Sequence, residues 1–177
     1  MNIFWLDKDI RTCAQYHNDK HCVKMILEYA QLLSTAHRVL DGKEVVVTNP
    51  AGKKRKHLQL PDKMSDQLFY KATHINHPCA VWVRQSRANY ATLHHLLQEL
   101  LYEYSVRYGK THKTERLLFA LSTPPKRLSA WDHTEAPLCM PDQFKVPGDV
   151  VESYRNYYRR GKSHIANWRV RNTPVWF

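Results

Sequence analysis

The stretch Asp19 to His37, DKHCVKMILEYAQLLSTAH, decides the architecture. On a wheel at about 100° per residue, Cys22, Val23, Met25, Ile26, Tyr29, Ala30, Leu32 and Leu33 fill most of the circumference. His17, His21, Lys24, Glu28, Gln31 and Thr35 collapse onto one arc of roughly 80°, because they follow the i, i+3/i+4 rule. A surface helix shows the reverse, a wide polar face and a narrower apolar stripe. This helix is therefore expected to be buried on most sides, with a narrow polar seam. Asn18 or Asp19 caps its start and Asp41-Gly42 stops it. A central buried helix implies further helices around it.

Working outward, Ile3-Phe4-Trp5-Leu6 is a short apolar run, either a strand or a packed arm. Lys43 to Thr48 (KEVVVT) has strand composition, Asn49-Pro50-Ala51-Gly52 a turn, and Arg55 to Leu60 the return strand. Residues 43–60 thus form a basic β-hairpin insertion whose tip carries Lys53, Lys54, Arg55 and Lys56. Pro61 to His77 is a connection with a short helical piece around Met64 to Tyr70. Ala80 to Tyr108 is the longest helical pattern; Pro78 precedes its first turn and Gly109 ends it. Glu115 to Ser122 is a further short helix. Pro124, Pro125, Pro137, Pro141 and Pro147 punctuate an irregular segment. A last helix runs from Asp149 to Arg160, with Gly161 at its end, and Trp168, Trp176 and Phe177 make the tail too apolar to float. No repeat or linker divides residues 1–177. The expected fold is a mainly α, single-domain helical bundle with a small hairpin, its basic-aromatic C-terminal helix and tail covering 149–177.

Lysine and arginine number 27 against 16 acidic residues, a net charge of +11, and 43% of residues are hydrophobic. That apolar share excludes a disordered basic tail, and the short apolar runs exclude a membrane span. The start, MNIFWLDKDIR, lacks the apolar region of a signal peptide, so the chain reads as soluble and cytoplasmic, in the host cell if phage-encoded. Cys13, Cys22, Cys79 and Cys139 are scattered without the CxxC pairing of a zinc site. They read as small buried apolar residues, and neither a metal nor a cofactor is expected.

Two groups of residues carry chemistry. His21, Lys24, Glu28 and Gln31 share the seam, and buried ionisable groups are costly unless paired or facing a cleft. The seam is either an active-site wall or an internal Lys24–Glu28 ion pair beside a satisfied histidine; four polar types in register exceed what one pair needs. The second group is basic. His77 stands at a helix entrance, where a phosphate can meet free backbone N–H groups, with Arg84 and Asn89 beyond it. Lys110, His112 and Lys113 are phosphate contacts or solvated charge. Gly109-Lys110-Thr111 is no nucleotide-binding loop, since Tyr104 stands where that loop needs glycine. The final segment interleaves cations and rings: Tyr154, Arg155, Tyr158, Arg159, Arg160, Lys162, Trp168 and Arg169. Cations neutralise phosphates and rings stack on unpaired bases, so nucleic acid, DNA first, is the expected partner.

Two strings, Asp19 to Leu33 and His77-Pro78-Cys79-Ala80-Val81-Trp82 followed by Asn89-Tyr90, resemble a group of small phage-type proteins. More loosely, the order of N-terminal segment, basic-acidic helix and His-Pro before a Trp helix is similar to the pyrimidine-dimer DNA glycosylase/AP lyases of bacteriophages. That resemblance implies an all-α fold that bends DNA and flips a nucleotide, an amine that attacks the deoxyribose C1′ to form an imine, and an assisting helix glutamate, for which Glu28 stands in position. The family uses the α-amine exposed when the initiator methionine is removed. Residue 2 here is Asn2, a poor site for that processing, so the amine is that of Met1 or of Lys24. The resulting expectation is a glycosylase-like enzyme on a damaged or modified pyrimidine. A transferase on modified pyrimidines in DNA and a non-enzymatic nucleic-acid binder stand as alternatives.

Overall fold

The central helix starts where the chain supplies its own cap. Asn18 Oδ1 accepts the His21 amide at 2.9 Å, opening α2, Asp19–Asp41. Before it, Asp9 caps a seven-residue helix, α1 (Ile10–Tyr16), too short for periodicity to reveal. The computed structural model describes every residue except Asn49. Beyond α2 it contains the hairpin β1 (Lys43–Thr48) and β2 (Lys54–Gln59), then α3 (Lys63–Leu68), α4 (Pro78–Val83), α5 (Arg87–Tyr108) and α6 (Val150–Asn156), with short 3₁₀ turns between α5 and α6. The fold is mainly α with one small hairpin.

Several boundaries differ from the sequence reading; the helix expected over Glu115 to Ser122 is two 3₁₀ turns, Lys113–Leu117 and Ala120–Ser122, and three others differ for local reasons. The helix expected over 80–108 breaks at Arg84 to Ser86, because Ser86 Oγ accepts the Asn89 amide and starts α5 afresh. The last helix leaves α geometry after Asn156 and widens into a π-turn over Tyr157–Gly161. Gly161 is required there: a Cβ would lie 2.5 Å from the Tyr157 ring. The short helix expected around Met64 to Tyr70 forms one residue earlier and ends at Leu68. The hairpin pairs antiparallel with Lys43 opposite Gln59 and Thr48 opposite Lys54; its turn residue Asn49 lies outside the described residues.

Helix α2 is buried on most sides, packed on α4 and α5, with Cys22, Met25, Ile26, Tyr29, Ala30, Leu32 and Leu33 in the core. Both chain ends complete that core. Ile3 to Leu6 is a buried arm, neither α nor β, whose Phe4 amide donates to Tyr29 Oη at 3.1 Å. At the other end, Trp168 Nε1 donates to the Tyr16 carbonyl at 2.9 Å and Asp19 accepts from Asn167 and Arg169. Arg38, fully buried, fastens the hairpin and α3 to α2. It donates to the Tyr70, Leu58, Asp66 and Phe69 carbonyls and to the Asp66 carboxylate at 2.6 Å. Buried guanidinium is tolerated because its donors are spent in this way. Among the described residues, no helix is long and apolar enough to cross a membrane.

Candidate active site

Glu28 sits on the third turn of α2, where the buried arm brings the chain's first residue beside it. The Met1 amine lies 3.4 Å from Oε2 and Lys24 Nζ 3.1 Å from Oε1, so one carboxylate is held between two amines. The Met1 side chain is buried and Glu28 is 13% exposed, while the Lys24 side chain is two-thirds exposed. The carboxylate is thus mostly covered, with one of its two cations in solvent. Both amines lie beside the carboxylate, so Glu28 can take a proton from either and hold a developing positive charge.

The same arm carries the site toward a second cluster. Asn2 Nδ2 donates to the Cys139 carbonyl at 2.6 Å, and His77, the N-cap of α4, accepts the Cys79 amide on Nδ1 at 3.2 Å. His77 feels the charges of both the Met1 amine and Glu28, and burial holds its imidazole below the ordinary range. The seam residues and the entrance of α4 therefore meet in space, although nearly fifty positions separate them along the chain.

His21 is placed otherwise. It is buried, stacked on Phe4 with ring centroids 4.3 Å apart, and hydrogen-bonded through Nδ1 to Tyr158 Oη at 2.6 Å. Burial pushes its imidazole down to about 3, so it is neutral near neutral pH. Its neighbour His17 is likewise neutral, pushed by burial to about 4, with Nδ1 against the Cys13 carbonyl and Nε2 against Tyr29 Oη. His21 thus supports the arm from below and does not touch Glu28's amines. Gln31 lies half-buried one turn further along.

The basic residues separate into tied and free-standing ones. Arg84 closes α4, donating to Ile75 and Ala80 carbonyls at 2.6 and 2.9 Å. Asn89, fully buried, ties the Trp82 carbonyl and both sides of Thr134. His112 caps a 3₁₀ turn through the Thr114 amide, with exposed Lys110 and Lys113 beside it. In the C-terminal segment the structure corrects the expected stacking platform. Tyr154, Tyr158 and Trp168 are buried, with Tyr154 Oη donating to the Pro137 carbonyl, so their faces are spent on the core. Their spacing alternated with cations because α6 and the tail are amphipathic. Arg155 is tied to Leu6 and Asp7, and Arg159 to Trp176, Glu152 and Asn156. Arg160 and Arg169 are exposed and Lys162 half-exposed, the last two lying over the rings of Tyr108 and Tyr157 respectively.

Sequence reading missed a cavity of about 490 Å³ whose walls include Trp5, Trp82, His133, Glu135 and Asp149. Its walls come from five separated segments, so no local pattern announces it. Two of its carboxylates are already engaged, Asp7 by Arg155 and Asp149 by the Glu152 amide. Comparison with known proteins finds no matching family model, no similar curated protein and no similar solved structure.

Proposed function

We propose that the protein is a DNA-processing enzyme acting on a damaged or modified pyrimidine, glycosylase-like, with the target nucleotide flipped from the stack. The observation that carries the reading is the Glu28 carboxylate held between the Met1 and Lys24 amines at 3.4 and 3.1 Å. An amine that attacks C1′ must lose a proton; the glycosidic bond breaks, the base leaves, and the sugar ring opens to an imine. Glu28 is placed to take that proton and to stabilise the cationic sugar. The net charge of +11 supplies the affinity for phosphate that such a substrate needs. With Tyr154, Tyr158 and Trp168 in the core, a purely binding protein would lack the base-stacking rings that reading relied on.

The test is borohydride trapping on duplexes carrying an abasic site or a series of modified pyrimidines, with mass analysis of protein and DNA. The expected result is a covalent adduct mapped to Met1 or Lys24, and a single-turnover rate in Glu28→Gln lower by ~10²–10⁴. No adduct on any duplex, with no base released and no group added, overturns the proposal.

A further inference from the structure

We propose that His77, Cys79 and Cys139 form a binding site for a thiophilic divalent cation, zinc by preference. Their ligand atoms all lie within 4.8 Å of one another, and the two sulfurs are 3.5 Å apart. Two thiolates on a tetrahedral zinc stand about 3.8 Å apart, given Zn–S bonds of about 2.3 Å. The two sulfurs therefore need to part by only a few tenths of an ångström, and the imidazole swings in to complete the set. Two sulfurs and an imidazole are the donor set that zinc favours over harder cations.

The three residues are held from independent directions. His77 and Cys79 open α4, so their spacing is fixed by the helix start. Cys139 arrives on the irregular segment 60 residues later, tied by its carbonyl to Asn2 and by its amide to Tyr154 Oη at 3.5 Å. Cys79 is fully buried and the other two are half-buried, so the cluster opens on one side. Three protein donors with an open side leave a fourth position for water.

The protons are accounted for. The hydrogen bond between the thiols holds Cys139 below the ordinary thiol range and raises Cys79. The Met1 amine favours the thiolate as well. Metal binding displaces the thiol protons to solvent, which makes affinity rise with pH. His77 gives up the long 3.2 Å bond from the Cys79 amide whichever ring nitrogen ligates. This inference does not depend on the proposed reaction, because its readout is metal binding alone.

The experiment is titration of the reduced, untagged full chain with Co²⁺, followed by absorption spectroscopy. One equivalent is expected to bind, giving a thiolate-to-metal charge-transfer band and the intense d–d bands of a tetrahedral site, and Zn²⁺ should displace it. Cys139→Ser should cut the charge-transfer intensity by about half and weaken binding at least ~100-fold, more than loss of an outer-sphere partner does. His77→Asn should weaken binding and keep the two-thiolate band. Cys139 is half-buried and tolerates the change better than Cys79. As a readout on the unaltered protein, bound Zn²⁺ should protect Cys79 and Cys139, and neither Cys13 nor Cys22, from alkylation mapped by mass spectrometry. A missing charge-transfer band, a band unchanged in Cys139→Ser, or alkylation of Cys139 indifferent to Zn²⁺ each overturns the site.

Discussion

Glu103 on α5 and Glu28 on α2 are each held between two cations, and the two arrangements could hardly differ more. Glu103 is 1% exposed and gripped by guanidinium groups: Arg107 Nε at 2.6 Å, Arg171 Nε at 3.0 Å and Nη2 at 2.8 Å. Arg107 goes on to Asp19 at 3.0 Å and to the Gln15 carbonyl, so every strong donor ends on an acceptor. Glu28 meets amines at 3.1 and 3.4 Å, one of them on a solvent-exposed lysine. Guanidinium groups stay charged and planar, which suits a permanent joint. Amines can release a proton and then attack, which suits chemistry. The same charge count therefore closes α5 against the tail in one place and, under the proposed reaction, serves chemistry in the other.

The same substitution at the two positions should separate them most sharply. Glu103→Gln takes the carboxylate from Arg171 and leaves Arg107 with Asp19 alone, around a buried Glu103 position, and should destabilise by about 3–5 kcal/mol. For a chain of this size that lowers Tm by roughly 6–20 °C, read by circular dichroism. Glu28→Gln, beside a lysine that is two-thirds in solvent, should cost less than about 1 kcal/mol. Similar losses of Tm at both positions would break the comparison, making the seam a structural ion pair like the other.

Acid should loosen the Glu28 side first. His17 and His21, beneath the arm that ends at Met1, are held by burial at about 4 and about 3. Above about pH 6.5 both rings are neutral folded and unfolded, and they contribute nothing. Below it the unfolded chain takes up protons that the fold refuses until its own lower values are reached. Stability therefore falls with falling pH across that window, by about 2 kcal/mol per ring at about pH 5. In His21→Asn the slope should lose one proton. Denaturant melts at several pH values check this, and hydrogen exchange at Ile3 to Leu6 should quicken before exchange around Glu103. A flat profile would mean that the rings titrate in the fold as they do in the unfolded chain.

What the sequence disclosed tracks how local each feature is. Helix α2, its Asn18 cap and its Gly42 stop, and the hairpin at 43–48, were legible because the 3.6 and 2.0 periods and the turn residues act within a few positions. The break at Ser86 was not, since Ala80 to Tyr108 keeps helical composition throughout and only the Asn89 amide reveals the new cap. Lys24 and Glu28 were placed together by i, i+4 spacing. That His21 on the same arc turns to Tyr158 depended on a residue 137 positions away. The approach of Cys139 to Cys79, and the burial of Tyr154 and Trp168, are likewise products of tertiary packing. A basic-aromatic alternation looks the same whether its rings meet bases or a core.

The hairpin tip marks the far end of the scale from Glu103, because its charge closes nothing. Lys54, Arg55 and Lys56 are exposed, and Lys56 reaches Glu44 at 2.9 Å, where both side chains are largely in solvent. Replacing Lys53, Lys54, Arg55 and Lys56 with serine should leave stability within about 0.5 kcal/mol, since none of them supports the core. Nucleic-acid affinity should fall instead. Six phosphates neutralised on duplex DNA would give the unaltered chain a log–log salt slope of about −5, and each phosphate that the serine tip no longer neutralises should make it shallower by about 0.9. The single-turnover rate at saturating DNA should hold, because catalysis is assigned to Glu28 and its amines. A slope near zero in the unaltered chain would remove nucleic acid as the partner. A collapse of the saturated rate in the tip variant would place the hairpin in the active site, and the division between charges that bind, charges that react and charges that hold the fold would have to be redrawn.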